Sequence, residues 1–331
     1  MIIQEIKLGK KLLSFKEEVI LVTDSSKIYL KETLNAETVR KLHLTLQGLK
    51  IENVYDFSRL KELLKFDSSL YPIFESVLLQ HIKSPWKMFD ATTQQVPRPM
   101  NIVLKKETGI TEFVVFSLNA KNFHGALSAN RGVVDYALKH LKDVSKMKEE
   151  EILMLLREGI DREHELVNFE LRIGIIFNNF SGGKYHYNGF DLEPKEQFDF
   201  ICKLIENYGV CYVENPFSEK DLDSYKRLFE NYKNSCLICM NSRIHEYSKG
   251  IHMRAFNAVV PFFTDIPSFK TEIGFFKEKN LNIVADLDSS LMDVLVGLDI
   301  PLVKLRDDVL GNISAKRLGV ISDEIIEMHE K

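Results

Sequence analysis

The chain has 331 residues, 45% of them hydrophobic and 28% charged, with a formal net charge of −4 and both signs mixed along its length. This is the composition of an ordinary globular protein with enough chain for two domains. It excludes a disordered polymer and offers no basic field for nucleic acid or anionic lipid, and no run approaches the roughly 18 apolar residues of a membrane span.

In chain order, residues 2–6, 18–23 and 27–31 read as three strands, the second and third joined by the turn residues Asp24-Ser25-Ser26. Helical periodicity follows over 36–49, 56–64 and 70–82, and Ser84-Pro85 closes the last of these. Three strands then helices describe a small α+β domain over residues 1–90, with 91–95 as linker. From Val96 the pattern changes. Strands at 100–104 and 112–117 precede a long amphipathic helix at 120–141 and helices at 148–157 and 161–170. Strands at 172–177, 210–213, 237–240, 258–262, 283–285 and 302–304 then alternate with helices at 195–208, 219–231, 244–249, 269–279 and 290–297 and a closing helix to Glu330. Repeated strand–helix units over 96–331 fit a modified eight-stranded α/β barrel, which places its chemistry at the C-terminal strand ends.

Several motifs carry little chemistry. Cys236 and Cys239 form a lone C-x-x-C inside an apolar run, so buried thiols are expected rather than a zinc site, which needs about four ligands. With Cys202 and Cys211 they suit a reducing cytoplasm, and residues 1–6 alternate like a strand without a signal peptide's apolar run. Cytoplasmic localisation is the expectation. Ser181-Gly182-Gly183-Lys184 reads as a plain turn, Lys105-Lys106 as a solvated loop, and His124, His140 and His164 lack metal-ligand spacing.

The most informative stretch is Tyr212-Val213-Glu214-Asn215-Pro216-Phe217, a short apolar strand ending on a carboxylate and an amide, with Pro216 stopping the ladder. It resembles the I-E-D-P-F segment of the enolase family. Val96-Pro97-Arg98-Pro99-Met100-Asn101-Ile102 is similar to that family's P-V-P-F-M-N-V, and Thr111-Glu112-Phe113-Val114 to its Q-E-F-M-I. Ala126-Leu127 and 135–139 stand where enolases have E-A-L and the following helix, and Val296-Gly297-Leu298 precedes Lys304 at the family's V-G-L to I-K spacing. The order and spacing of these matches imply an enolase-like fold: a small N-terminal α+β cap domain, packed over the C-terminal ends of a modified (β/α)8 TIM-type barrel.

The resemblance also implies where a magnesium-dependent carbon–oxygen lyase would keep its groups, and several positions depart from it. The three metal carboxylates fall on Ile176, Glu214 and Met240, of which only Glu214 has oxygen donors suited to a hard cation. The lysine base falls on Phe262, the acid-bearing D-E-G-G loop has no counterpart over 142–170, and the phosphate-gripping S-H-R-S-G becomes Ala285-Asp286-Leu287-Asp288-Ser289. The histidine-bearing loop shrinks to Lys105-Lys106-Glu107-Thr108-Gly109. Glu112, Glu214 and Lys304 are the retained positions, expected to point together into the barrel mouth with no catalytic set intact, no metal and no cofactor. Two functional readings stand open. One is a pseudoenzyme acting as a binding or assembly protein, a homodimer or the partner of another protein, without nucleic acid or membrane. The other is a metal-independent lyase or isomerase reusing the barrel mouth, with a divergent phosphopyruvate hydratase as the remote third.

Overall fold

The computed structural model describes residues 1–331 except 11–16, 31–33, 90–94, 142–146, 188, 242–246, 288, 307–308 and 331. The chain forms two compact units, Met1–Ala91 with Phe263–Thr271, and Thr92–Phe262 with Glu272–Lys331. Of the expected linker 91–95, residues 91–94 lie outside the described residues, as does the first part of the helix expected at 244–249.

In the first unit β1 (Ile3–Lys10), β2 (Glu17–Thr23) and β3 (Lys27–Leu30) form an antiparallel sheet in that order. The Thr23 hydroxyl accepts the Ser25 and Ser26 N–H groups and so builds the expected turn between β2 and β3. Helices α1 (Ala36–Leu46), α2 (Tyr55–Leu63) and α3 (Leu70–His81) follow. The Asn35 side chain caps α1 by accepting the Thr38 N–H at 2.8 Å. One carboxylate of α3, Glu75, is buried, and its Oε1 accepts both the Tyr71 hydroxyl and, at 2.8 Å, the Ile266 N–H. Beside it Asp265 accepts the Ser268 N–H at 3.0 Å and pairs with Lys61 at 2.7 Å.

The second unit opens with β4 (Arg98–Lys105), β5 (Ile110–Ser117), α4 (Phe123–His140), α5 (Glu149–His164) and β6 (Leu171–Phe177). A small sheet of β7 (Phe180–Ser181), β8 (Lys184–Tyr187) and β9 (Phe190–Leu192) comes next, then α6 (Pro194–Tyr208). The alternation continues with β10 (Val210–Glu214), α7 (Leu222–Tyr232), β11 (Leu237–Asn241), α8 (Tyr247–Met253), β12 (Ala258–Val260) and α9 (Ile266–Glu278), whose residues up to Thr271 belong to the first unit. It ends with β13 (Asn282–Ala285), α10 (Met292–Gly297), β14 (Leu302–Leu305) and α11 (Val309–His329). Eight strands close a barrel in the order β10-β11-β12-β13-β14-β4-β5-β6. β5 runs antiparallel to both its neighbours, and the other pairings are parallel. This mixed barrel is the α/β architecture expected from the strand order.

Strand alternation divides the core into two layers. Met100, Phe116, Ile176, Tyr212, Cys239 and Val284 belong to the cluster inside the barrel. Val213, Ile238, Met240, Leu204 and Tyr225 pack between the strands and the helices. Cys236 falls in the outer layer and Cys239 in the inner one, so the C-x-x-C thiols point apart, and burial pushes both well above the ordinary thiol range. One expectation needs correction and one is extended. The helices expected at 148–157 and 161–170 are one helix, α5, because Gly159 is a packing point rather than a break: a Cβ there would lie 3.1 Å from the Val133 side chain on α4. The Gly182-Gly183 turn, with φ of +57° and +85°, joins β7 to β8 in a sheet that the sequence reading does not contain.

Candidate functional site at the end of the barrel

Lys304, on β14, reaches across the barrel end to Glu214, the last residue of β10; Nζ lies 2.6 Å from Oε2, and the two side chains are 2% and 3% exposed. The same Oε2 accepts the Tyr212 hydroxyl. Tyr212 and Glu214 are two apart on one strand and therefore share a face. The Tyr212 ring finds its room because β6 carries Gly174 opposite it, where a Cβ would come within 2.9 Å of Tyr212 Cβ. Asp286, just beyond β13, stands 3.6 Å from Lys304 Nζ and 3.4 Å from the Arg306 guanidinium.

The electrostatics of this cluster follow from burial and pairing. Burial disfavours the Lys304 ammonium, but the Glu214 and Asp286 carboxylates outweigh it and hold the amine above the ordinary lysine value. Burial, reinforced by Cys239 and Glu214, keeps the Tyr212 phenol protonated far beyond its usual range. The centre is therefore a charged lysine and a tyrosine donor converging on one carboxylate.

The retained acid Glu112 lies on the register row that joins β5, β6 and β10: Glu112 is opposite Ile176, and Ile176 opposite Glu214. Two strand spacings put the two acids about 10 Å apart at Cα. The Glu112 carboxylate pairs with Lys105 at 2.7 Å. The structure thus brings Lys304 and Glu214 into contact and leaves Glu112 on its own partner nearby.

The positions that the resemblance assigns to magnesium can be tested against these contacts. Ile176 faces the barrel interior, where it offers only an alkyl group. Met240 does not face the site. It lies in the outer layer, one residue out of phase with Cys239, and alternation gives the inward position to Asn241. Asn215 adopts φ +49°, a left-handed conformation that asparagine tolerates, and its Oδ1 accepts the Asn241 N–H at 3.0 Å. The amide that stands for the second acid of I-E-D-P-F therefore links β10 to β11. A hard divalent cation needs about six oxygens. An alkyl group, an amide committed to the backbone and a carboxylate already bound by an ammonium and a phenol do not fit one. Among the described residues no group of three or more His, Cys, Asp or Glu side chains is placed to hold a metal.

The remaining sequence candidates fall out plainly. Phe262 follows the end of β12 and is 43% exposed. Residues 142–146 and Asp288 lie outside the described residues, while most of the rest of 142–170 is helix α5. Lys106 is not solvated: its ammonium is buried against Glu149 at 3.0 Å and donates to the Met147 carbonyl. Gly109 permits this, since at φ +73° a Cβ would lie 2.3 Å from Glu149 Oε1. Tyr212 and Asp286 are the members of the cluster that sequence reasoning missed. Alternation puts Tyr212 on the Glu214 face, but the room for its ring comes from distant Gly174, and nothing local signals that Asp286 serves Lys304.

Known proteins agree with this architecture. The chain is 30% identical to the enolase of Pyrobaculum aerophilum over 175 residues, which cover 45% of this chain and 42% of that protein. It is 26% identical to the Archaeoglobus fulgidus enolase over 195 residues, 50% of this chain and 48% of that one. It is 22% identical to the Sulfurisphaera tokodaii enolase over 261 residues, 68% and 62%. The chain is a relative of the enolases. It spans about half the length of the curated enolases it first matches. No protein-family model matches it. The match to enolases accords with the eight-stranded barrel. Among the described residues no helix is long and apolar enough to cross a membrane.

Proposed function

We propose that this enolase-like chain is a pseudoenzyme: the Lys304–Glu214 ion pair stands where the related enzymes keep a metal site, and the protein acts by binding rather than by magnesium-dependent dehydration. The observation that carries the reading is the pair itself, 2.6 Å long and almost wholly buried, with Tyr212 completing the carboxylate's partners. A carboxylate so neutralised has little left to offer a cation, and Ile176 on the next strand offers nothing. The same pair speaks against a metal-independent lyase. A general base works best with a pKa near the working pH, and Glu214 and Asp286 hold Lys304 in its charged form. The binding role, exercised on a second copy or another protein in a reducing cytoplasm, accords with the four free cysteines.

Magnesium titration by calorimetry tests this reading. The expected result is no stoichiometric site up to millimolar cation. A stoichiometric site that disappears in Glu214→Gln contradicts it.

A further inference from the structure

Outside the barrel-end cluster, the small sheet β7–β9 carries a histidine whose two ring nitrogens both face acceptors. His186 Nδ1 lies 2.9 Å from Asp191 Oδ1 on β9, and Nε2 lies 3.0 Å from the Ser181 carbonyl on β7. A carboxylate and an amide carbonyl have no proton to give, and neutral imidazole carries only one N–H. Both contacts are hydrogen bonds only when the ring is an imidazolium. That cation then ties the central strand to both outer strands of a sheet whose pairings are only two and three residues long.

The sheet matters because it joins two loops at the barrel end. The His186 carbonyl accepts the Gly109 N–H at 2.9 Å, from the turn between β4 and β5. The neighbouring Tyr185 hydroxyl accepts the Ser218 N–H at 2.8 Å, from the segment that follows Glu214. Tyr187 donates to Gln197, which in turn donates to the Pro216 carbonyl. One strand thus bonds directly to Gly109 and Ser218 and, through Gln197, to Pro216.

We propose that His186 is a proton-operated clamp: protonated, it ties β8 to both β7 and β9 and so tightens the two barrel-end loops, and on losing its proton it gives up one of those two ties and loosens them. The charged groups around it are few. Asp191 faces it from β9; Lys184, on its own strand, is paired with Glu193 at 3.0 Å, with Glu196 nearby. The loop packed on the sheet contributes the buried Lys106–Glu149 pair. The Asp191 and Ser181 hydrogen bonds hold the imidazole above its ordinary value against its partial burial and the Lys184 charge. Because the folded value is raised, the clamp is complete below the ordinary histidine pKa and is lost as pH rises through the folded one.

The test is NMR of the full chain across this pH range, following the His186 ring signals and the exchange protection of the Gly109 and Ser218 amides. His186 is expected to titrate above an ordinary histidine, and Asp191→Asn to bring it back down. Over the same step the two amides should lose about tenfold or more protection, after correction for the intrinsic pH dependence, the equivalent of one charged hydrogen bond. In His186→Gln that step should vanish. These side chains are substantially exposed, so neither variant endangers the fold. Titration at or below the ordinary value in the unmodified protein overturns the proposal, as does a high titration that leaves Gly109 and Ser218 unmoved. Neither result bears on magnesium binding at Glu214.

Discussion

Lys304→Met removes the ammonium from a pair whose members are 2% and 3% exposed, and leaves the Glu214 carboxylate buried with one donor, Tyr212. Breaking a buried pair from one side costs roughly 3–5 kcal/mol, because the surviving charge is uncompensated. The Tyr212 hydrogen bond remains, so the lower half of that range is expected. Replacing both partners, as Lys304→Met with Glu214→Gln, removes the stranded charge and keeps an acceptor for Tyr212. The double variant should therefore recover at least about half of the loss. The assay is urea unfolding at pH 7, read by far-ultraviolet circular dichroism. The sole tryptophan, Trp86, lies in the first unit, so its fluorescence reports separately whether that unit is disturbed. The pH dependence is fixed in sign. Lys304 is raised above the ordinary lysine value, so its contribution is complete below about pH 10 and is lost only as pH rises through the folded value. The cost of Lys304→Met should be flat from pH 6 to pH 9. A cost below about 1 kcal/mol, or a double variant no better than the single one, refutes the buried-pair argument.

Two further outcomes follow from buried charges elsewhere. Lys106→Met strands Glu149, which is 1% exposed, and should cost roughly 3–5 kcal/mol by urea unfolding, whereas loss of the exposed Lys7–Glu5 pair should cost under about 1 kcal/mol; equal small effects at both sites contradict the burial of Lys106. Glu75 is pushed up to about 7, chiefly by burial, and its folded value exceeds its unfolded one, so its contribution to stability is full below about pH 4.5 and falls by on the order of 3 kcal/mol as pH rises from there through 7. Glu75→Gln should flatten that decline, followed by Trp86 fluorescence, and an unchanged slope contradicts the assignment.

The barrel was legible because alternation of short apolar strands with amphipathic helices survives in the sequence, and Pro216 marks where β10 must stop. Glu214 was legible by its place at a strand end, and Lys304 by its spacing from Val296-Gly297-Leu298 in the resemblance. Their contact was not, since it spans the barrel between β10 and β14. Met240 shows the limit of reading letters against a motif: the pleat decides which of two adjacent residues faces inward, and it selects Asn241. Tyr212 needed knowledge of Gly174, thirty-eight positions earlier, whose missing side chain leaves room for the ring. Lys106 resembled a solvated charge because Glu149, its partner, lies a whole helix away along the chain. The β7–β9 sheet escaped notice because strands of two to four residues are too short to show a period.

The most direct test of the central claim is turnover of 2-phosphoglycerate by the purified chain at saturating magnesium, followed as phosphoenolpyruvate formation beside an active enolase. The buried Lys304–Glu214 pair and the alkyl group of Ile176 predict no conversion above background at any magnesium concentration, and no rescue by Phe262→Lys alone. Magnesium-dependent turnover that is lost in Lys304→Ala contradicts the account.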